Sequence, residues 1–77
     1  MDKASFICKI EAILELPPGS LKEETSLADL PAWDSLAVLG FINLVDEDLG
    51  RVVDAKSIAG CRTIGDLLAM VGDALQP

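Results

Sequence analysis

Along the first part of the chain, apolar residues return at helical spacing. Phe6, Ile10 and Ile13 mark one face, and Ile7 and Leu14 widen it. Lys3, Lys9, Glu11 and Glu15 fall beside this stripe and are expected to stay in water. Pro17-Pro18-Gly19 ends the pattern, because proline has no amide donor and biases the residue before it away from helical geometry. A first helix is therefore predicted from Lys3 to Leu16. No period persists from Gly19 to Trp33. Leu21, Leu27, Leu30 and Trp33 are scattered there among Ser20, Thr25, Ser26 and Pro31. The reading is a long ordered connection, pinned to the core by its leucines, with a short turn at Ser26 to Leu30.

Helical spacing resumes immediately afterwards. Asp34 or Ser35 suits the N-cap, and Val38, Ile42, Val45 and Leu49 form the stripe, broadened by Phe41 and Leu44. Gly50 is the expected stop, so the second helix spans Ser35 to Leu49. Val53, Ile58 and Cys61 are the inward residues of a weaker segment, which carries a short helix near Asp54 to Ala59 ended by Gly60. Thr63-Ile64-Gly65-Asp66 offers a capping box with Asp66 in the place of the usual Glu or Gln. Ile64, Leu67, Leu68, Val71 and Leu75 then stripe a last helix reaching about Leu75. No strand, repeat or low-complexity tract stands out. The predicted fold is all-α: a four-helix bundle with three main helices, a short third helix and a long first loop, in a single domain over residues 1–77.

Composition narrows what such a bundle does. With 77 residues, most apolar side chains must be buried to make a core at all. The chain is 51% hydrophobic but only 4% aromatic, which leaves little aromatic surface for stacking on bases or sugars. Its net charge is −7, from 13 acidic and 6 basic residues, so nucleic acid and acidic membrane surfaces are repelled. No apolar run approaches the roughly 20 residues of a membrane span, and no membrane insertion is expected. Met1-Asp2-Lys3-Ala4-Ser5 lacks the basic start of a signal peptide, which makes the cytoplasm the expected compartment. There Cys8 and Cys61 are expected to be reduced, as small core residues. The charge favours a protein partner with a basic patch, met by a monomer.

The missing residue types exclude much chemistry. Without His or Tyr, a serine nucleophile lacks its usual base, and no Ser-x-x-Lys spacing surrounds Ser35. Two thiols without His make no zinc set. Asp46-Glu47-Asp48 fails the EF-hand spacing, which needs an oxygen ligand where Gly50 sits and a glutamate where Ser57 sits. It reads as a solvated acidic patch, and neither a metal nor catalysis by the chain is expected.

Asp34-Ser35-Leu36 taken alone reads as a helix cap. Its setting, after a long leucine-anchored loop and at the head of the second helix, resembles the acyl carrier proteins, which are phosphopantetheine-binding carriers. The resemblance covers essentially the whole chain, including the short third helix and Thr63-Ile64 opening the last. It implies that Ser35 is esterified with 4′-phosphopantetheine by a phosphopantetheinyl transferase, using coenzyme A. It further implies that the arm's thiol holds acyl groups of fatty-acid, polyketide or related metabolism for partner enzymes. Val38, Ile42, Val45, Ile58, Cys61 and Leu68 are then candidate walls of an acyl pocket, or simply the core. Asp34, Leu36, Leu39, Gly40, Asn43, Asp46 and Glu47 are the candidate partner surface.

That surface departs from the family. Fatty-acid carriers present carboxylates along the second helix, whereas this chain offers Leu36, Leu39, Gly40 and Asn43 before Asp46 and Glu47. Lys56 and Arg62 stand where those carriers are usually acidic. Gly40 costs about 1 kcal/mol in a helix relative to alanine, and is read either as a close approach by partner or arm or as a neutral accident. The expectation is a specialised carrier serving a dedicated acyl ligase or synthase with a basic docking patch. Peptidyl and D-alanyl carriers share the implied fold, and an unmodified helical adaptor, with Ser35 only a cap, is the rival from another class.

Overall fold

All four helices start on a side chain that accepts a hydrogen bond from the amide three residues on. In the computed structural model, which describes residues 1–75, Asp2 accepts from Ser5 N at 2.8 Å and opens α1, Lys3–Ile13. Asp34 accepts from Ala37 N at 3.0 Å and opens α2, Ser35–Leu44. Asp54 accepts from Ser57 N at 2.7 Å and opens the short α3, Ala55–Ala59. Thr63 accepts from Asp66 N at 3.2 Å, and the Asp66 carboxylate returns a bond from Thr63 N at 3.2 Å, the predicted capping box of α4, Ile64–Met70. Each cap satisfies an amide that the first turn leaves without an intrahelical partner.

Two helix ends differ from expectation. α1 stops at Ile13, not Leu16, and the prolines do not stop it directly. Leu16 N donates to Glu11 O at 2.9 Å and Glu15 N to Ala12 O at 3.2 Å, the paired bonds of a Schellman ending. This places Glu15 in the left-handed region at φ 57°, where a side chain is disfavoured. α4 ends at Met70 rather than near Leu75. Val71 leaves helical geometry at φ −120°, and residues Gly72–Ala74 tighten into a 3₁₀ turn that still brings Leu75 into the core. The second helix does reach Leu49, but its last five residues, Val45–Leu49, form a wider π-helical turn closed by Gly50 at φ 66°.

The core joins Phe6, Ile10 and Leu14 of α1 and its end to Ala37 and Phe41 of α2 and to Val45. Ile58 of α3, Ile64, Leu67 and Leu68 of α4, and Val71 join it, with Leu21 and Leu27 of the loop and Leu75 after α4. Phe41 lies at its centre, edge-on to Phe6 at 5.8 Å and to Trp33 at 6.1 Å. The inward line of the second helix is therefore Ala37, Phe41 and Val45, while Val38 and Ile42 are only half-buried. α2 reads Ser-Leu-Ala-Val-Leu-Gly-Phe-Ile-Asn-Leu, so apolar on every side that period alone does not choose the face. Cys8 is exposed and Cys61 half-buried, so neither is the small core residue expected.

The long loop is ordered by named contacts. Leu21 and Leu27 are buried, and the predicted turn is a 3₁₀ turn at Leu27–Asp29. Leu27 N donates to Arg62 O at 2.8 Å, Ile64 N to Thr25 O at 3.0 Å and Gly65 N to Glu23 O at 2.7 Å. The loop is thus clamped to the start of α4. At its other end Glu11, expected in water, is 2% exposed and accepts from Leu21 N at 3.0 Å. A loop amide demanded an acceptor inside the fold, and α1 supplies it. The radius of gyration is 11.1 Å, and no helix among the described residues is long and apolar enough to cross a membrane.

Candidate functional site

Ser35 is the first residue of α2, and its exposure follows from the residue before it. Asp34 spends its side chain on the cap, accepting from Ala37 N, while Val38 N donates to Asp34 O at 3.0 Å. The amides of Ser35 and Leu36 keep no partner among the described residues, and the Ser35 hydroxyl likewise makes no hydrogen bond there. An exposed hydroxyl therefore sits at the positive end of a helix, beside two unsatisfied donors. An anionic ester at this oxygen would find those donors waiting. The neighbouring Asp34 carboxylate is engaged as a cap, and the Ser35 hydroxyl donates to no base among the described residues.

A cleft of about 750 Å³ opens beside Ser35. Val38 and Leu39 of α2 form one wall, Ala55, Ile58, Ala59 and Cys61 of the α3 segment a second, and Leu27, Ala28, Leu30 and Trp33 of the loop a third. Apart from Asp34 and Ser35 at its mouth, the lining side chains are apolar or, at Cys61, a thiol. Of the six pocket candidates, the fold brings Val38, Ile58 and Cys61 to this cleft. It does not bring the others there: Val45 and Leu68 are packed into the core, and Ile42 borders a separate groove. The Cys61 Sγ lies 3.2 Å from the Met70 Sδ. Burial first, and then the Asp66 charge, raise its pKa, so it is not a reactive thiolate.

Of the candidate partner residues, Leu36 is 77% exposed and Leu39 61%. Asn43, Asp46 and Glu47 are also exposed, further along the same helix and its π-helical turn. Asp46 and Glu47 make no salt bridge among the described residues, whereas Asp48 is held by Lys9 at 2.9 Å. Gly40 has an internal neighbour: a Cβ there would lie 3.1 Å from Ile13 Cγ2, so α1 packs closely over it. Lys56 and Arg62 are exposed, leaving the α3 segment less acidic than the second helix.

Sequence reasoning missed Val52, which is 89% exposed and shares a groove with Leu39, Gly40, Ile42, Asn43 and Asp46. It also missed the loop wall of the cleft. The signal there was the single tryptophan of the chain, two residues before Ser35, to which the sequence pattern assigns no role.

Comparison with known proteins agrees with this geometry. The family described as "Phosphopantetheine attachment site" matches residues 5–71, a span that includes α2, α3, α4, all but the first two residues of α1, and the cleft. No curated protein and no solved structure matches the chain. Domains of this family are sites of covalent 4′-phosphopantetheine attachment, loaded by a transferase and not themselves catalytic. With its family matched over most of its length and its bundle all-helical, the chain belongs to the phosphopantetheine-binding carrier proteins.

Proposed function

We propose that Ser35 is the residue that carries the arm, and that the chain presents acyl groups to enzymes of fatty-acid, polyketide or related acyl metabolism. The observation that carries this reading is the exposed, unengaged Ser35 hydroxyl at the start of α2, opening on an apolar cleft. The family match restricts the chemistry to phosphopantetheine, and no other serine combines that helix position with a cleft. When bound, the group supplies a terminal thiol that carries acyl groups as thioesters. The chain's own residues do the rest. Asp34 fixes the start of the helix, and the amides of Ser35 and Leu36 meet the negative charge of the ester. The transferase provides the activation that the domain lacks.

Leu36, Leu39, Asn43, Asp46 and Glu47 form the docking surface for the transferase and for an acyl ligase or synthase. Its first half is apolar and its second half acidic, which suits partners with an apolar contact flanked by basic residues. This departure from a uniformly acidic helix supports a specialised carrier, which we propose acts as a monomer in the cytoplasm. Rescue of a strain depleted of its general carrier tests specialisation: failure is expected, and full rescue would contradict it. For Ser35 itself, incubation with coenzyme A and a broad-specificity transferase is expected to add one arm, and Ser35→Ala to abolish the gain.

A further inference from the structure

The cleft beside Ser35 ends on the loop and does not lead into the middle of the bundle. Its floor is Leu27 and Ile58, 6% and 2% exposed. Beneath it the interior is already filled. Phe41 and Val45 are fully buried, Leu68 nearly so, and an edge-to-face series runs from Trp33 through Phe41 to Phe6. A hydrocarbon chain reaching deeper would have to part that aromatic series, in an interior where inserted methylenes force side chains out of their rotamers. The rim on the α3 side is the opposite case. Ala55 and Ala59 there are small and exposed, as is Ala28 on the loop, leaving room at the surface.

We propose that Trp33 is the specificity-determining wall of the cargo site. The cleft takes a compact apolar acyl group against the indole, and the Trp33–Phe41 contact keeps long straight chains out of the core. This rests on the assignment of the arm to Ser35 and adds to it the class of cargo: short or medium acyl groups in preference to long-chain fatty acyl groups. No charged side chain other than Asp34 lines the cleft, so the preference is for hydrocarbon. Each methylene moved out of water favours the sheltered state roughly fourfold, so shelter rises steeply with chain length until the floor is covered, and further methylenes then run out along the open rim.

The test loads the protein from acetyl-, octanoyl- and palmitoyl-coenzyme A with a broad-specificity transferase. Intact mass, the emission of the single tryptophan and the rate of thioester cleavage by hydroxylamine are read on the same samples. Octanoyl is expected to shift the emission to the blue and slow cleavage more than about tenfold relative to acetyl, with palmitoyl adding no more than about twofold. Ala59→Phe, which fills the cleft from an exposed position, is expected to return octanoyl to the acetyl rate. Trp33→Leu, checked for folding by its melting temperature, is expected to let palmitoyl gain shelter over octanoyl. Loading without an emission shift, or protection that keeps rising to palmitoyl in the unaltered chain, would overturn the inference and leave the carrier reading intact. Absence of any mass gain would overturn the carrier reading, and this inference with it.

Discussion

Glu15 and Glu11 sit one turn apart on α1 and its end, and the fold treats them in opposite ways. Glu15 points to water but holds a left-handed backbone, φ 57°, in the Schellman ending of α1. That conformation costs a side-chain-bearing residue about 1–2 kcal/mol, so Glu15→Gly is expected to stabilise the domain by about 1 kcal/mol in urea unfolding. A loss of stability would refute this account of the helix end. Glu11 is buried, with one carboxylate oxygen on Leu21 N and the other, Oε1, buried without a partner. Glu11→Ala would strand the Leu21 amide and is expected to cost about 1–3 kcal/mol by the same measurement. An unchanged midpoint would mean that the loop does not need this acceptor. Neither role was legible in the sequence. The period of α1 sets Glu11 among wet positions, and its burial is dictated by a loop amide ten residues away. Gly40 is similar, since its reason is the approach of Ile13 from another helix.

The elements themselves were legible where side chains cap them. Asp34, Asp54, and Thr63 with Asp66 are local signals, each read by an amide three residues on, and the helices start where they predict. Ends and faces were less legible, because they depend on tertiary packing: in an almost wholly apolar helix the pattern includes Phe41 and Val45 of the inward line but takes Val38 and Ile42 in place of Ala37. The short α3 depends most on its cap. The bond accepted from Ser57 N holds the Asp54 pKa below its ordinary 3.8. Because the folded value is the lower one, the carboxylate's contribution is complete above pH 3.8 and is lost as pH falls through the folded pKa. Asp54→Asn keeps an acceptor oxygen and removes the titration. α3 is therefore expected to loosen in acid in the unaltered chain, with less of that pH dependence in the variant, as read by amide exchange at Ser57 and Ile58. Identical acid profiles would contradict the cap's role.

Across the whole molecule, net charge and exposed apolar surface act at different stages of docking. A charge of −7 draws in a basic partner from a distance, and this attraction is screened over about 10 Å at 0.1 M salt. Leu36, 77% exposed, acts only on contact. For modification by the transferase, kcat/KM is expected to fall as salt rises, and Leu36→Ala to lower it at every salt concentration. Stability should stay within about 0.5 kcal/mol of the unaltered chain, as for an exposed position. Equal transferase kinetics for Leu36→Ala would remove Leu36 from the docking surface. At this scale the sequence was most informative, because acidity, absent catalytic bases and the setting of Asp34-Ser35-Leu36 already pointed to a modified carrier. The central claim is that Ser35 carries the arm, and fragment mass spectrometry after transferase treatment with coenzyme A tests it most directly. One phosphopantetheine located on Ser35, and none on the Ser35→Ala chain, is the predicted result; an unmodified Ser35, or an arm found on another serine, would contradict it.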